Sequence, residues 1–473
     1  MLLIPIIVFL PLAFIIPLAL LSYRHAFKIT IIAAALTLVL VSAAMLIAHA
    51  SSFNYLYTSF AYLQSIGVGF SFGITAFTQV LAIMTGIVFL AAAITGRSFI
   101  KESQKLYSAL FLIILSSALG VFLSGNFFLL YVFWEIGEVA AFFVIYVFGG
   151  YNRRYAAIKF LIFSLASSML LLIGIMLLYA NLPTQTFSIS YALSSASSIK
   201  ASVQIAIFVL LLLSFMIKMP IFPLHTWLPD AYAEAPATGS MVIAGVLSKF
   251  GGYGMLLAFL MLPVAAHYSF YLAVLFAFSA VYAGFVAIRQ VNLKKAIAYS
   301  SIVDMGIVAL GISTASQLGY AGALYAMLSH GLVIALMFLV AGVVDESFGT
   351  LLITKLKGIA KSMESVAYAF MFGTFAIIGL PLTSGFIGDI LIFSGLAKSV
   401  GPVFLIPLLG ILLIGIYFFW LAERVFFNTS KAVEQYAPSP RSFAYASALL
   451  IAATIFFGVL PSLLLSTIGT AIV

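Results

Sequence analysis

The sequence contains no cysteine. Disulfides, thiolate zinc sites and ordinary cysteine-ligated iron–sulfur clusters are therefore excluded, and any redox centre tied to the function sits on another chain. Charge is almost as scarce, with Asp, Glu, Lys and Arg making up 7% of the residues. A soluble surface carries several times that share. The five histidines (His25, His49, His225, His267 and His330) offer no ligand pair at helical spacing, so no metal site is expected. The first apolar run, residues 1–21, lacks a basic leader and a small-residue cleavage site, and reads as a retained span.

What is present is apolar length. Hydrophobic residues make up 65% of the 473, and the mean hydropathy is +1.26. In hydrocarbon every backbone group must pair internally, which leaves helices or closed barrels. The apolar runs are about 18–25 residues long, the length of a spanning helix, whereas barrel strands alternate over about ten. The expected fold is an all-α polytopic membrane protein of about 14 spans. These lie near 3–21, 29–49, 74–95, 106–124, 127–148, 158–180, 202–224, 237–261, 268–288, 296–313, 320–343, 366–393, 402–422 and 443–468.

The formal charge of +9 is distributed as a topology signal. Seventeen of the 21 lysines and arginines follow odd-numbered spans. Only Lys200 and Lys398 follow even-numbered ones, and Lys218 and Lys249 fall inside spans. That alternation predicts both termini on the outer side. It also speaks against a nucleic-acid partner, because the basic residues form loop flanks and not one continuous patch.

No linker marks off a soluble domain. The polar stretches 50–73 and 181–201 are expected as ordered outer loops, and the basic loop 424–442, with Pro438 and Pro440, as an inner one. Two spans carry breaks. The seventh runs into Pro220 and Pro223, and the twelfth contains Gly379 and Pro381. Proline removes an amide donor and clashes with the preceding turn. One such site is an ordinary kink; two in corresponding halves are the signature of a transporter built from inverted repeats. The separations Glu135 to Asp304 and Lys218 to Asp389 are 169 and 171 positions (304 − 135 and 389 − 218), each an offset of five spans, which inverts topology. The expected division is residues 1–104, three N-terminal spans; 105–262 and 263–424, two inverted five-helix repeats; and 425–473, the C-terminal loop and last span.

Seven ionisable residues fall inside spans: Glu135 and Glu138 in the fifth, Lys218 in the seventh, Lys249 in the eighth, Asp304 in the tenth, His330 in the eleventh and Asp389 in the twelfth. Each charge at mid-bilayer costs roughly 2.5–3.5 kcal/mol on insertion scales, so each needs a reason. A lysine–carboxylate pair whose separation changes is a proton valve: closed, the lysine keeps its proton, and opened, it releases it. A structural ion pair accounts for any single member, but hardly for a series over successive spans. His225 and Asp230 admit two readings, a proton-uptake site or a brace in which Asp230 caps the following helix.

These residues lie in recognisable surroundings. The stretch from Lys218 through Met-Pro-Ile-Phe-Pro-Leu-His225-Thr-Trp-Leu-Pro-Asp230 to Pro236, then Gly245-Val-Leu-Ser-Lys249-Phe-Gly-Gly-Tyr-Gly254, closely resembles the antiporter-like membrane subunits of respiratory complex I. That family includes the large subunits of multisubunit Na+/H+ antiporters and membrane-bound hydrogenases. Phe133-Trp134-Glu135, Asn292 to Ile302, Leu328-Ser-His330-Gly331 and Gly379 to Asp389 match further blocks in the same order, over about residues 105–425. The resemblance implies a proton relay of Glu135, Lys218, Lys249, His330 and Asp389, with Glu135 modulating Lys218. Glu138, Asp304, His225 and Asp230 are possible additions. The acid at 389 and the length favour the M-like type. Asp389 is one methylene shorter than that type's usual glutamate, and Asp304 stands where relatives often carry a neutral polar residue or histidine. Asp304 therefore reads either as the second half's counterpart of Glu135 or as a helix-packing carboxyl.

The implied function is proton translocation, driven by a partner redox arm, in a complex I-like oxidoreductase or hydrogenase. The chain itself would be a non-redox subunit without cofactor, with neighbouring membrane-arm subunits, lipid and H+ (or Na+) as its partners, in a prokaryotic plasma membrane. The alternatives are a subunit of an Na+/H+ antiporter and a stand-alone secondary transporter.

Overall fold

The computed structural model describes residues 2–50, 56–63, 68–399, 401, 405–428 and 439–471; Lys431 and Pro438 lie outside them. Among the described residues thirteen helices are long and apolar enough to cross a membrane. In order the first eight are Leu3–Leu20, Tyr23–His49, Ala76–Phe99, Gln104–Leu123, Phe127–Phe148, Arg153–Asn181, Ala201–Lys218 and Ala237–Met261. Then come Ser269–Ile288, Leu293–Ser313, Gln317–Phe348, Leu405–Phe427 and Arg441–Val459. The place of the expected twelfth span is taken by two shorter helices, Glu364–Ile377 and Ser384–Ser399. With that pair counted as the twelfth, the ordinal numbers of the sequence reading carry over.

Burial sorts the helices. The apolar windows of the eighth and eleventh spans are wholly buried, so neither meets lipid. The first, second, sixth and fourteenth turn large apolar side chains outward, among them Leu20, Val39, Ile162, Met169 and Tyr445. In water such a surface would be unstable; in hydrocarbon it costs nothing, and association rests on close packing. The seventh and eighth spans show how close. A Cβ on Gly251 would lie 2.7 Å from the Phe215 carbonyl oxygen and 2.8 Å from the Met219 nitrogen.

Both polar stretches fold further than the sequence suggests. Residues Leu56–Leu63 (β1) and Val68–Ile74 (β2) pair as an antiparallel hairpin with Ser59 opposite Ser71 and Phe60 opposite Phe70. Their Tyr, Phe, Thr and Val content suits a pleated surface. The stretch 181–201 contains the short helix Ile189–Ser195 and a 3-10 turn, Ala196–Ser198. The eighth span carries a wide π-turn over Ile243–Leu247.

Both breaks pair several of the backbone groups they free. After Lys218 the chain turns through 219–227 before the short helix Leu228–Glu234, and the Phe222–Pro223 bond is cis. The Ile221 amide donates to the Met216 carbonyl at 2.9 Å, Phe222 to Ser279 Oγ at 2.9 Å, and Trp227 Nε1 to the Ile217 carbonyl at 2.9 Å. In the second break Leu380 donates to Phe375, and Thr383 donates through both its amide and its hydroxyl to the Leu380 carbonyl. Irregular backbone at membrane depth requires such pairing.

Candidate functional site

The first half of the site is aimed by a cap. Asn126 Oδ1 accepts from the Leu129 amide at 2.8 Å and starts the fifth span, while its Nδ2 donates to Ser71 Oγ at 2.9 Å and to the Gly69 carbonyl at 2.5 Å. The hairpin thus holds the beginning of the helix. Further along, Trp134 and Glu138 are four apart and share a face. Lys218, the last residue of the seventh span, meets that face. Its Nζ donates to Glu138 Oε1 at 2.6 Å, with both side chains 2% exposed. Rings of Phe160, Trp134 and Phe250 stand 5.3, 5.9 and 5.9 Å from the ammonium. Charge-assisted bonding and three aromatic faces together replace the water the ion has lost.

The sequence reading linked Lys218 with Glu135, but the direct bond comes from Glu138. A helix turns about 100° per residue, so positions three apart share a side without being equivalent, and packing decides which one meets the lysine. Glu135 is only partly buried, and its Oε1 has no hydrogen-bond partner. The aromatic ring set was also missed. Trp134 and Phe250 adjoin the charged residues in sequence, but nothing in the apolar pattern separates a cage from ordinary core.

Lys249 follows the π-turn. There the Ser248 amide reaches back to Ile243 at 3.3 Å, and the Ala244 carbonyl accepts from Ser248 Oγ and from Lys249 Nζ, each at 2.8 Å. The widened turn therefore supplies the lysine with an acceptor that a regular helix would occupy. Lys249 is fully buried. Its Nζ also lies 3.2 Å from Ser248 Oγ and 2.5 Å from His330 Nδ1. Phe250, the next residue, links this cluster to the cage around Lys218.

Beyond His330 the side chains are acids. His330 Nε2 lies 3.8 Å from Asp304 Oδ2, outside hydrogen-bond reach, and has no other hydrogen-bond partner. Both residues line a cavity of about 30 Å³ together with Ser329, Gly385 and Asp389. Asp389 Oδ2 packs against Gly379, where a Cβ would come within 2.6 Å, and Gly379 has φ +71. The second break is thus shaped to receive the carboxylate: a side chain at 379 would be strained and would also strike Asp389.

Asp230 and His225 are not joined. Asp230 does not cap the short helix Leu228–Glu234, whose N-cap is Trp227 without a side-chain bond. Instead it clamps three helices, accepting from Lys159 at 2.8 Å and Lys295 at 3.0 Å. Burial pushes its carboxyl up, but the hydrogen bonds and charges of the two lysines outweigh this and hold it below the usual carboxylate range. A depressed acid stabilises the fold above its unfolded pKa and loses that contribution as pH falls through the folded value. Asp230→Asn is therefore expected to cost about 1 kcal/mol at neutral pH for two partly exposed pairs. Melting curves of the solubilised protein should show the gap to wild type closing only below the ordinary carboxylate range. His225 is buried among Phe222, Tyr282 and Tyr299, and its Nδ1 has no partner.

Among the described residues no group of three or more His, Cys, Asp or Glu side chains is placed to hold a metal ion. The arrangement is thus a row of ionisable groups, Glu138–Lys218, then Lys249–His330, then Asp304 and Asp389, running through the two wholly buried spans.

A family model described as NADH:quinone oxidoreductase/Mrp antiporter, transmembrane, matches residues 124–417. NADH-quinone oxidoreductase subunit M of Rickettsia conorii is 34% identical over 417 residues, covering 87% of this chain and 84% of the relative. A chain of respiratory complex I from Thermus thermophilus shares the fold with a TM-score of 0.90 at 24% identity over 99% of both chains. A chain of an archaeal membrane-bound sulfane sulfur reductase gives 0.89 at 25% identity, over 98% of this chain and 77% of that one.

Proposed function

This chain belongs to the NADH:quinone oxidoreductase/Mrp antiporter family of membrane subunits, and from that membership and its buried row of charges we propose that it translocates protons within a complex I-like assembly. The carrying observation is the succession of ionisable groups along that row. An ion pair at 2.6 Å is followed by a lysine–histidine contact at 2.5 Å and a cavity between acids. A structural charge needs one partner; Lys249 has His330 beside it, and beyond that histidine stand Asp304 and Asp389.

In this reading Glu135 and Glu138 bias Lys218, Lys249 and His330 pass the proton between the halves, and Asp389 ends the path. The blocks 105–262 and 263–424 act as the two halves, each with one broken helix. A partner redox arm supplies the driving force and this chain carries no cofactor. The protein lies in a cell membrane with both termini outside, as the basic loop residues support. His225 and Asp230 lie beside the first break, where the clamp braces the helix that delivers Lys218.

The test uses inverted vesicles carrying the whole complex, comparing wild type with Lys218→Ala. Proton pumping should be lost or coupled down while assembly and electron transfer persist. Normal pumping with normal electron transfer would return Lys218 to a structural role. The second reading, an Na+/H+ antiporter subunit, rests on the breadth of the matched family. It would be favoured by proton movement that follows an imposed Na+ gradient without electron donor.

A further inference from the structure

The relay just described leaves its second half with acids and no lysine beyond Lys249. We propose that Asp304 is a proton-holding residue of that half, taking the proton that leaves His330 Nε2 through a water in the shared cavity before it reaches Asp389. This rests on the proton-translocating reading above and adds a site to it.

The argument starts at the other ring nitrogen. An ammonium has donors and no acceptor, so while Lys249 is charged the contact at 2.5 Å makes His330 Nδ1 the acceptor. The neutral ring then carries its one hydrogen on Nε2. That nitrogen is buried without a hydrogen-bond partner and belongs to a residue lining the cavity. Asp304 Oδ2 is 3.8 Å away, and within 4.0 Å His330 is the only ion partner of Asp304 among the described residues. A gap of that size is closed by one water. The cavity, about 30 Å³, exceeds the roughly 10–15 Å³ such a molecule needs. Asp304, His330, Ser329 and Asp389 supply polar partners.

The step balances. Lys249 passes a proton to His330 Nδ1, forming one N–H bond as another breaks. The hydrogen on Nε2 passes to the water, and the water hands one of its own to the Asp304 carboxylate. A neutral lysine, the opposite histidine tautomer and a carboxylic acid result, with no electron transferred. The reverse transfer resets the ring. The same geometry disfavours a metal ion, because an N–H bond and not a lone pair points into the cavity while Lys249 is charged. A merely packing carboxyl at this position would not need a donor 26 positions on in the sequence, facing it across a shared cavity.

The whole complex in inverted vesicles tests this with Asp304→Asn, which is nearly isosteric, and Asp304→Glu, which keeps the acid. Pumping per electron is read beside an infrared difference spectrum of protonated carboxyl groups, with Lys218→Ala as reference. Asp304→Asn should lose both the pumping carried by this subunit and one carboxyl band, and Asp304→Glu should restore both. Wild-type pumping in Asp304→Asn with loss in Lys218→Ala overturns the role of Asp304 and leaves the relay standing. Wild-type pumping in both variants overturns the relay and Asp304 with it. Failure of both 304 variants to assemble makes the group structural, and an Na+ requirement abolished by Asp304→Asn makes it a cation site; either result overturns the proposal.

Discussion

Glu138→Ala should destabilise the protein by about 3–5 kcal/mol, the usual result of leaving one member of a buried ion pair without its partner. Lys218, 2% exposed and ringed by Trp134, Phe160 and Phe250, would lose the carboxylate bonded to its charge. The lost bond is a short one, 2.6 Å, and no other hydrogen bond of Lys218 Nζ is seen among the described residues. The double substitution Glu138→Ala with Lys218→Met should return close to wild-type stability. Methionine fills a similar volume and its sulfur packs well against aromatic rings, and replacing a whole buried pair by apolar groups is often neutral. Proton pumping should not return with stability, since the double variant has nothing left to titrate at this point. Thermal unfolding of the solubilised complex reads the first effect and vesicle acidification the second. The assignment fails if Glu135→Ala costs as much as Glu138→Ala, or if the single Glu138 variant melts with wild type.

The second large effect is steric. Gly251→Val places a branched side chain where even a Cβ would come within 2.7 Å of the Phe215 carbonyl oxygen and 2.8 Å of the Met219 nitrogen. Both obstacles are backbone, so neither rotates out of the way. The seventh and eighth spans must separate, at a cost of about 1–3 kcal/mol or more. The separation also displaces Lys218, three residues after Phe215, from the ring of Phe250. Assembled complex should fall sharply in membranes, with the residue that survives poorly coupled. Gly254→Ala is the milder comparison, because the atoms its Cβ would meet belong to the Phe215 ring, which can shift. Equal assembly of Gly251→Val and wild type, judged by native gel and melting, would show that the contact is looser than the structure has it.

What could be read in advance follows from the kind of signal each feature carries. The spans, their order and both breaks rest on hydropathy and on Pro220, Pro223, Gly379 and Pro381, local properties that tertiary context rarely overrides in a membrane. The buried charges were visible for the same reason: any ionisable residue inside an apolar run stands out. The partner of Lys218 was not legible, because Glu135 and Glu138 are three apart and only the rotation of the fifth helix selects one. The β1–β2 hairpin was hidden by the polar composition of residues 50–73, although the Tyr and Phe spacing within it is strand-like. The π-turn at Ile243–Leu247 leaves no trace in the apolar pattern of a span that is buried on every side. Asp230 sits where a cap is commonly found, and the distant Lys159 and Lys295 claimed it instead.

The eleventh span gives the assembly a mechanical frame of reference. It runs for 32 residues with its whole apolar window enclosed by protein, and His330 lies near its middle. A rod so enclosed has little freedom to tilt or slide without opening voids along its length. Nearer the two ends of the row, Lys218 closes the seventh span at the first break, and Asp389 lies in the helix Ser384–Ser399 that follows the second. In the proposed relay this enclosed rod is the fixed stator, and the two interrupted helices are the contacts set beside it.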